Sequence, residues 1–205
     1  MDHELDLMSE LWIQWSDVGA KLAPEQWSDP TRLTIPDNWD VKTLYSHHTQ
    51  TVHRLCQFAD CETTMPAEHR DAGSFFQQFN ERERDKVDVS TAAREEADAS
   101  DAAALVAVFR DKGPVAIQKA RRAGNIVVQT DEGRIAFRDY VRNRLCESVV
   151  HFMDLEHALG APASTIPPDA MKVACEVVIE MTDSARLLDF FSGRSSDPLE
   201  PVFKI

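Results

Sequence analysis

The chain has 205 residues, 43% of them hydrophobic, which suits one domain with a sizeable core rather than a disordered chain. A formal charge of -13, from 35 acidic against 22 basic side chains, argues against a nonspecific nucleic-acid binder, because a phosphate backbone needs a cationic face. The longest apolar run, Ala102 to Phe109, is too short to cross a bilayer, and the acidic opening MDHELDLMSE lacks the features of a signal peptide, so a cytoplasmic location is expected.

In chain order, Leu7, Leu11, Trp15, Val18 and Leu22 recur at three- and four-residue steps, which predicts a first helix from Leu7 to about Gln26. SDPTRLTIPDNWD reads as loop, with Asp40 as the cap of the next helix. That second helix is expected from Val41 to about Phe58, burying Val41, Leu44, Val52, Leu55 and Phe58. The stretch from Ala67 to Val89 is ambiguous; GSFFQQFNERERDK fits a short helix with a charged outer face.

A longer helical region is expected from near Thr91 through AALVAVF, kinked or broken at Gly113-Pro114 before VAIQKARR resumes. IVVQTDEGRIAF has two short apolar stretches around an Asp-Glu-Gly turn, the pattern of a small β-hairpin. Asp139 stands near the start of a helix reaching about Leu159 and stopping at Gly160, with Pro162 beyond. Asp169 opens a last helix whose apolar side holds Val173, Val177, Met181, Leu187 and Leu188; the tail SGRSSDPLEPVFKI is loop-like.

Several helices joined by loops imply an all-α, up-and-down bundle of four or more helices, with extra short helices and the hairpin, as one domain over 1–205. Cys56, Cys61, Cys146 and Cys175 have no zinc-finger or CxxC spacing. They are expected to be reduced, with Cys146 and Cys175 as small core residues.

One helix carries an unusual line. In RLCESVVHFMDLEHALG, residues 144–160, Glu147, His151 and Asp154 fall within a sector of roughly 60°, with Arg144 beside it. Nearly everything else on that helix is apolar, and a polar sector so narrow suggests a lined cavity between helices. The same spacing also fits a solvated pair four residues apart, or a core His151 hydrogen-bonded to Glu147. Two ligands do not define a metal site. A third would come from DVKTLYSHHTQTVHR, where His47 and His48 both lie near the buried side and spacing does not choose between them. His53 reads as a surface or interhelical hydrogen-bonding residue; His3, His69 and His157 stand in ordinary polar contexts. Two imidazoles and a carboxylate match a catalytic zinc site with one open position, and equally a nonheme ferrous triad.

IPDNWDVKTLYSHHTQTVHR and RIAFRDYVRNRLCESVVHFMDLEHALG resemble the DinB-like metal-binding superfamily, specifically the N-terminal domain of mycothiol-dependent maleylpyruvate isomerase. The resemblance covers about residues 7 to 160. It implies a four-helix bundle of that type, with metal ligands at His47, Glu147 and His151, and His48 where an apolar residue is commoner. It also gives Arg144 and Asp154 places in the hallmark helix. Asp154 would orient a ligand imidazole or cap a local network; Arg144 would pair with Glu147 or with an anionic part of thiol or substrate, a helix-surface salt bridge being its structural alternative. Tyr45 reads first as an ordinary packing residue, with a place toward the pocket mouth as its functional reading, and Trp39 anchors the loop before the second helix.

By the same resemblance, a divalent ion, zinc foremost, would hold mycothiol or a related small thiol as thiolate for transfer to, or isomerisation of, a small electrophile. The isomerase proper has a further C-terminal domain, whereas only a helix and a short tail stand after the hallmark helix here, which favours a thiol transferase-like relative. A noncatalytic helical metal-binding or interaction protein, and a metal-dependent hydrolase, are the competing expectations. No membrane or nucleic-acid partner is expected, and a homodimer is compatible with the sequence but not marked by any stripe.

Overall fold

In the computed structural model, which describes residues 1–33, 38–80, 83–161 and 165–182 together with Leu188 and Ser192, α1 runs over Asp2–Gly19. It buries Leu5, Met8, Leu11, Trp12 and Trp15. The helix stops seven residues short of the expected Gln26 because Pro24 has no N–H for a continuing ladder. Pro24 instead opens a short 3₁₀ turn, Pro24–Ser28, that delivers Trp27 to the core.

Helix α2 spans Val41–Phe58, and the Asp40 carboxylate accepts from the Thr43 N–H at 2.8 Å. Such a cap contributes about 1 kcal/mol. All five apolar positions expected on its inner side are buried. The ambiguous stretch forms α3, Ala72–Asn80, and α4, Glu83–Ala99, so the helical region expected from Thr91 starts earlier. It is then interrupted at Asp101, whose side chain caps a new helix α5, Ala102–Ala107, by accepting from the Ala104 N–H.

Gly113-Pro114 does not break the chain's path. Residues Val108–Lys112 widen into a π turn that leads directly into α6, Gly113–Ala123. Proline removes one ladder donor and crowds the preceding carbonyl, and a widened turn absorbs both defects. The hairpin pairs β1, Val127–Thr130, with β2, Gly133–Ala136, in antiparallel register from Val127 opposite Ala136 to Thr130 opposite Gly133. Gly133 takes a φ of 115°, which only glycine adopts without strain. Backbone bonds from Thr63 to Val127, from Gln129 to Cys61 and from Glu68 to Arg134 clasp the hairpin between the two ends of the 61–69 segment.

Helix α7, Phe137–Ala158, is the longest among the described residues, and Gly160 follows it with a φ of 63°. Helix α8, Pro168–Met181, begins one residue before Asp169. It ends before Leu188, which is 69% exposed rather than buried on that helix. Leu187, Pro162 and the tail from Gly193 lie outside the described residues.

Helices α1, α7, α2 and α6 pack in a closed ring, each touching the next, with α8 and α3 flanking α7 and α4 flanking α2. The result is an all-α bundle with a small hairpin. At its centre Trp15, Tyr45, Phe109 and Phe152 are fully buried and meet ring to ring; each such side chain contributes about 2 kcal/mol by burial. The four cysteines are free; Cys146 is buried as expected, but Cys175 is exposed on the outer side of α8.

Candidate metal centre

Two helices face each other across the site. From α2 comes His47; from α7 come Arg144, Glu147, His151 and Asp154, all buried. The expected polar line therefore points into the bundle, and the solvated-pair alternative does not describe it. One ligand atom each from His47, Glu147 and His151 lies within 4.8 Å of the other two.

The donor chemistry fits a divalent cation. His47 Nε2 stands 3.3 Å from Glu147 Oε1, out of line for a hydrogen bond and with no other partner. Bonds of about 2.05 Å to a tetrahedral zinc would put two ligand atoms about 3.3 Å apart. His151 Nε2 is likewise buried without a partner. Its other nitrogen, Nδ1, lies 3.2 Å from Asp154 Oδ2. That carboxyl is held below its usual range; burial opposes ionisation, but the hydrogen bond from His151 and the Arg32 guanidinium outweigh it. An ionised carboxylate only accepts, so Nδ1 donates to it and Nε2 is the nitrogen left facing the site.

The charges are set the same way. Burial pushes the His47 pKa below its ordinary value, against the pull of Glu147, so the imidazole is neutral and its lone pair is available at pH 7. Glu147 is held well below the usual carboxylate range. Burial works against it, but the Arg144 charge, with His47 close by, prevails. Arg144 Nη1 lies 2.5 Å from Glu147 Oε2, leaving Oε1 toward the histidines. The guanidinium is buried rather than on the helix surface. It donates from Nε to the Asn143 side-chain oxygen at 2.9 Å, contacts the same oxygen through Nη2, and lies over the Tyr140 ring at 5.4 Å.

A cavity of about 140 Å³ opens beside these groups. His47, Arg144 and Glu147 line it together with Gln50, Thr51 and Arg54 from α2, Phe75 and Phe76 from α3, Val89, Ala92 and Ala93 from α4, and Glu132 from the hairpin turn. Arg54 and Glu132 stand 3.7 Å apart across it. Gln50 and Arg54 lie three and seven residues beyond His47, one helical face that spacing alone makes visible. Glu132 gave no such signal, because only the clasped hairpin carries it there.

Of the other expected positions, Tyr45 does not line the cavity. It is fully buried, its hydroxyl donates to the Trp15 carbonyl at 3.0 Å, and its ring packs on Trp15 and Trp27. Its packing reading therefore holds and its placement at the pocket mouth is corrected. His48 is also fully buried, stacked on Trp15 and Phe109, with Nε2 2.9 Å from Ser148 Oγ. His69, expected in an ordinary polar context, holds the hairpin turn through Nε2 to the Glu132 carbonyl at 2.8 Å. Trp39 anchors its loop: its carbonyl accepts from Thr31, its N–H donates to Leu33, and its indole N–H donates to Ser90 at 3.0 Å.

Among the described residues, no helix is long and apolar enough to cross a membrane. A family model described as the mycothiol maleylpyruvate isomerase N-terminal domain matches residues 8–156, well over half of the chain. No curated protein and no solved structure matches it.

Proposed function

We propose, for a chain that belongs to the mycothiol maleylpyruvate isomerase N-terminal domain family, a divalent-metal-dependent enzyme that activates a small thiol, mycothiol or a relative of it, against a small electrophile. The outcome is S-transfer to that electrophile or its isomerisation. The observation that supports the reading most is the pair of buried, unpartnered imidazole nitrogens, His47 Nε2 and His151 Nε2, gathered with a Glu147 oxygen at one point.

His47, Glu147 and His151 would hold the ion, with zinc the metal best suited to two nitrogens and one oxygen plus an open position. A bound divalent cation lowers the proton affinity of a thiol, ordinarily near pKa 8.5, toward the nucleophilic thiolate at neutral pH. The chain's own residues do the rest. Asp154 keeps the proton on His151 Nδ1, and Arg144 restrains the second Glu147 oxygen. Phe75, Phe76 and Val89 give the cavity an apolar lining on which a small electrophile can lie, while Arg54, Gln50 and Glu132 give it polar groups. A cytoplasmic location belongs to the same proposal, since a low-molecular-weight thiol pool is kept reduced there.

Elemental analysis of protein purified without added metal tests the site: one divalent ion per chain in the wild type and none in His151→Ala is expected. Cobalt-loaded protein should gain sulfur-to-metal charge-transfer absorption when thiol is added, and should consume an electrophilic aryl halide only with thiol present. Negligible metal in both proteins would overturn the reading, and turnover independent of thiol would redirect it to hydrolysis.

A further inference from the structure

Arg32 lies on the segment between the 3₁₀ turn and α2, and its side chain is 45% exposed. Its Nε donates to Asp154 Oδ1 at 2.5 Å, reaching across from a residue 122 positions earlier in the chain. The Asp154 carboxylate is almost wholly buried and divides its two oxygens, Oδ1 toward Arg32 and Oδ2 toward His151 Nδ1. Without the guanidinium, the buried carboxylate would keep only the His151 Nδ1 as a partner, a costly arrangement that favours rotation of the group toward water. With it, one oxygen is tied down and the other is aimed at the imidazole.

We propose that Arg32 is a positioning residue for the metal centre, setting the ring of His151 through Asp154 so that Nε2 faces the common point. The inference rests on the reading of His47, Glu147 and His151 as the ligand set.

Backbone hydrogen bonds flank Arg32 on both sides. The Thr31 N–H and hydroxyl both donate to the Trp39 carbonyl at 2.9 Å, the Trp39 N–H donates to the Leu33 carbonyl at 3.1 Å, and the Val41 N–H donates to the Asp29 carbonyl at 3.0 Å. These bonds tie residues on both sides of Arg32 to the N-terminal end of α2. The same arm carries Trp39, whose ring lies 4.9 Å from that of His47 at a tilt of 55°. One short arm therefore touches the surroundings of both imidazoles: it packs on His47 from α2 and steers His151 from α7. This gives the arm a role in the chemistry without any contact with the ion itself. Partners of this kind behind a metal-bound histidine are worth about 10- to 100-fold in metal affinity.

The test measures zinc affinity by competition with a chromophoric chelator, and the visible absorption of the cobalt-loaded protein, in wild type, Arg32→Ala, Arg32→Lys, Asp154→Asn and the double variant Arg32→Ala/Asp154→Asn. Arg32→Ala is expected to bind zinc about 10- to 100-fold more weakly and to show an altered cobalt spectrum. Arg32→Lys, which keeps the charge but not the Nε direction, should recover only part of the affinity. The double variant should bind no more weakly than Asp154→Asn alone, because the two residues act in series. Wild-type affinity and spectrum in Arg32→Ala, or fully additive losses in the double variant, would overturn the proposal. If Arg32→Ala fails to fold, Arg32→Lys decides, an unchanged affinity counting against the idea and a weakened one for it. Zinc binding unchanged in His151→Ala would instead show that the ligand set itself is wrong, and the role of Arg32 would fall with it.

Discussion

The ring of His48 stacks on the indole of Trp15 with centroids 4.4 Å apart and planes inclined by 28°, while the ring of its neighbour His47 lies against Trp39 on the side of Glu147. One peptide bond separates a histidine facing the ligand cluster from a histidine set among aromatics. Successive helical residues differ by 100°, so the two rings enter different layers of the bundle.

That burial makes stability depend on pH. Desolvation pushes the pKa of His48 well below its ordinary 6.5, and the nearby histidines act in the same direction; His47 is lowered too, chiefly by burial. Below the ordinary value the unfolded chain takes up protons that the folded chain refuses, so stability is complete above that pH and falls as pH drops beneath it. For each refused proton the slope approaches about 1.4 kcal/mol per pH unit. Urea unfolding of metal-free protein between pH 7 and pH 5 should show this loss, and His48→Leu should show a shallower one. An equal slope in the variant would mean that His48 is not one of the responsible groups.

Arg144→Gln removes the cation beside a buried carboxylate. Leaving Glu147 without that partner should cost the metal-free protein about 3–5 kcal/mol. A divalent ion supplies replacement charge, so the rise in melting temperature on adding zinc should be larger in the variant than in the wild type. Identical zinc-induced shifts would place Arg144 and the ion on independent groups.

Tyr45→Phe distinguishes core from pocket. The substitution deletes the bond to the Trp15 carbonyl and should lower stability by about 1–2 kcal/mol, with zinc affinity and thiol-dependent turnover unchanged. A fall in turnover without loss of stability would return Tyr45 to the pocket.

Gly73→Ala probes the wall carried by α3. A Cβ at Gly73 would come within 2.5 Å of Glu180 Cβ and 2.7 Å of its backbone carbon, on α8. Backbone cannot yield as a flexible side-chain end would, so α3 must move, at a cost of about 1–3 kcal/mol. Because α3 also presents Phe75 and Phe76 to the cavity, KM for the electrophile should rise alongside the loss measured by urea unfolding. Wild-type stability would show that the two helices separate freely.

Much of the local order was legible in the residues themselves. Capping by Asp40, the stop after α7, the hairpin around Asp131, Glu132 and Gly133, and the narrow line of Glu147, His151 and Asp154 all arise from periodicity and turn chemistry, which act over a few residues. Where local signals competed, packing decided between them: Pro24 ended α1 early, and the proline at 114 was absorbed by a π turn instead of a break.

The chain by itself thus determined which residues share a helical face, because the 3.6-residue repeat is a property of the backbone. Only the packed bundle decided that this face looks inward, that His47 and not His48 meets Glu147, that Tyr45 belongs to the core, and that Arg32 and Glu132 reach the neighbourhood of the site. Those outcomes depend on contacts between residues far apart in the chain, such as Arg32 and Asp154, 122 positions from one another. Such contacts carry no periodic signature, since they arise from how whole helices and clasped loops exclude water together.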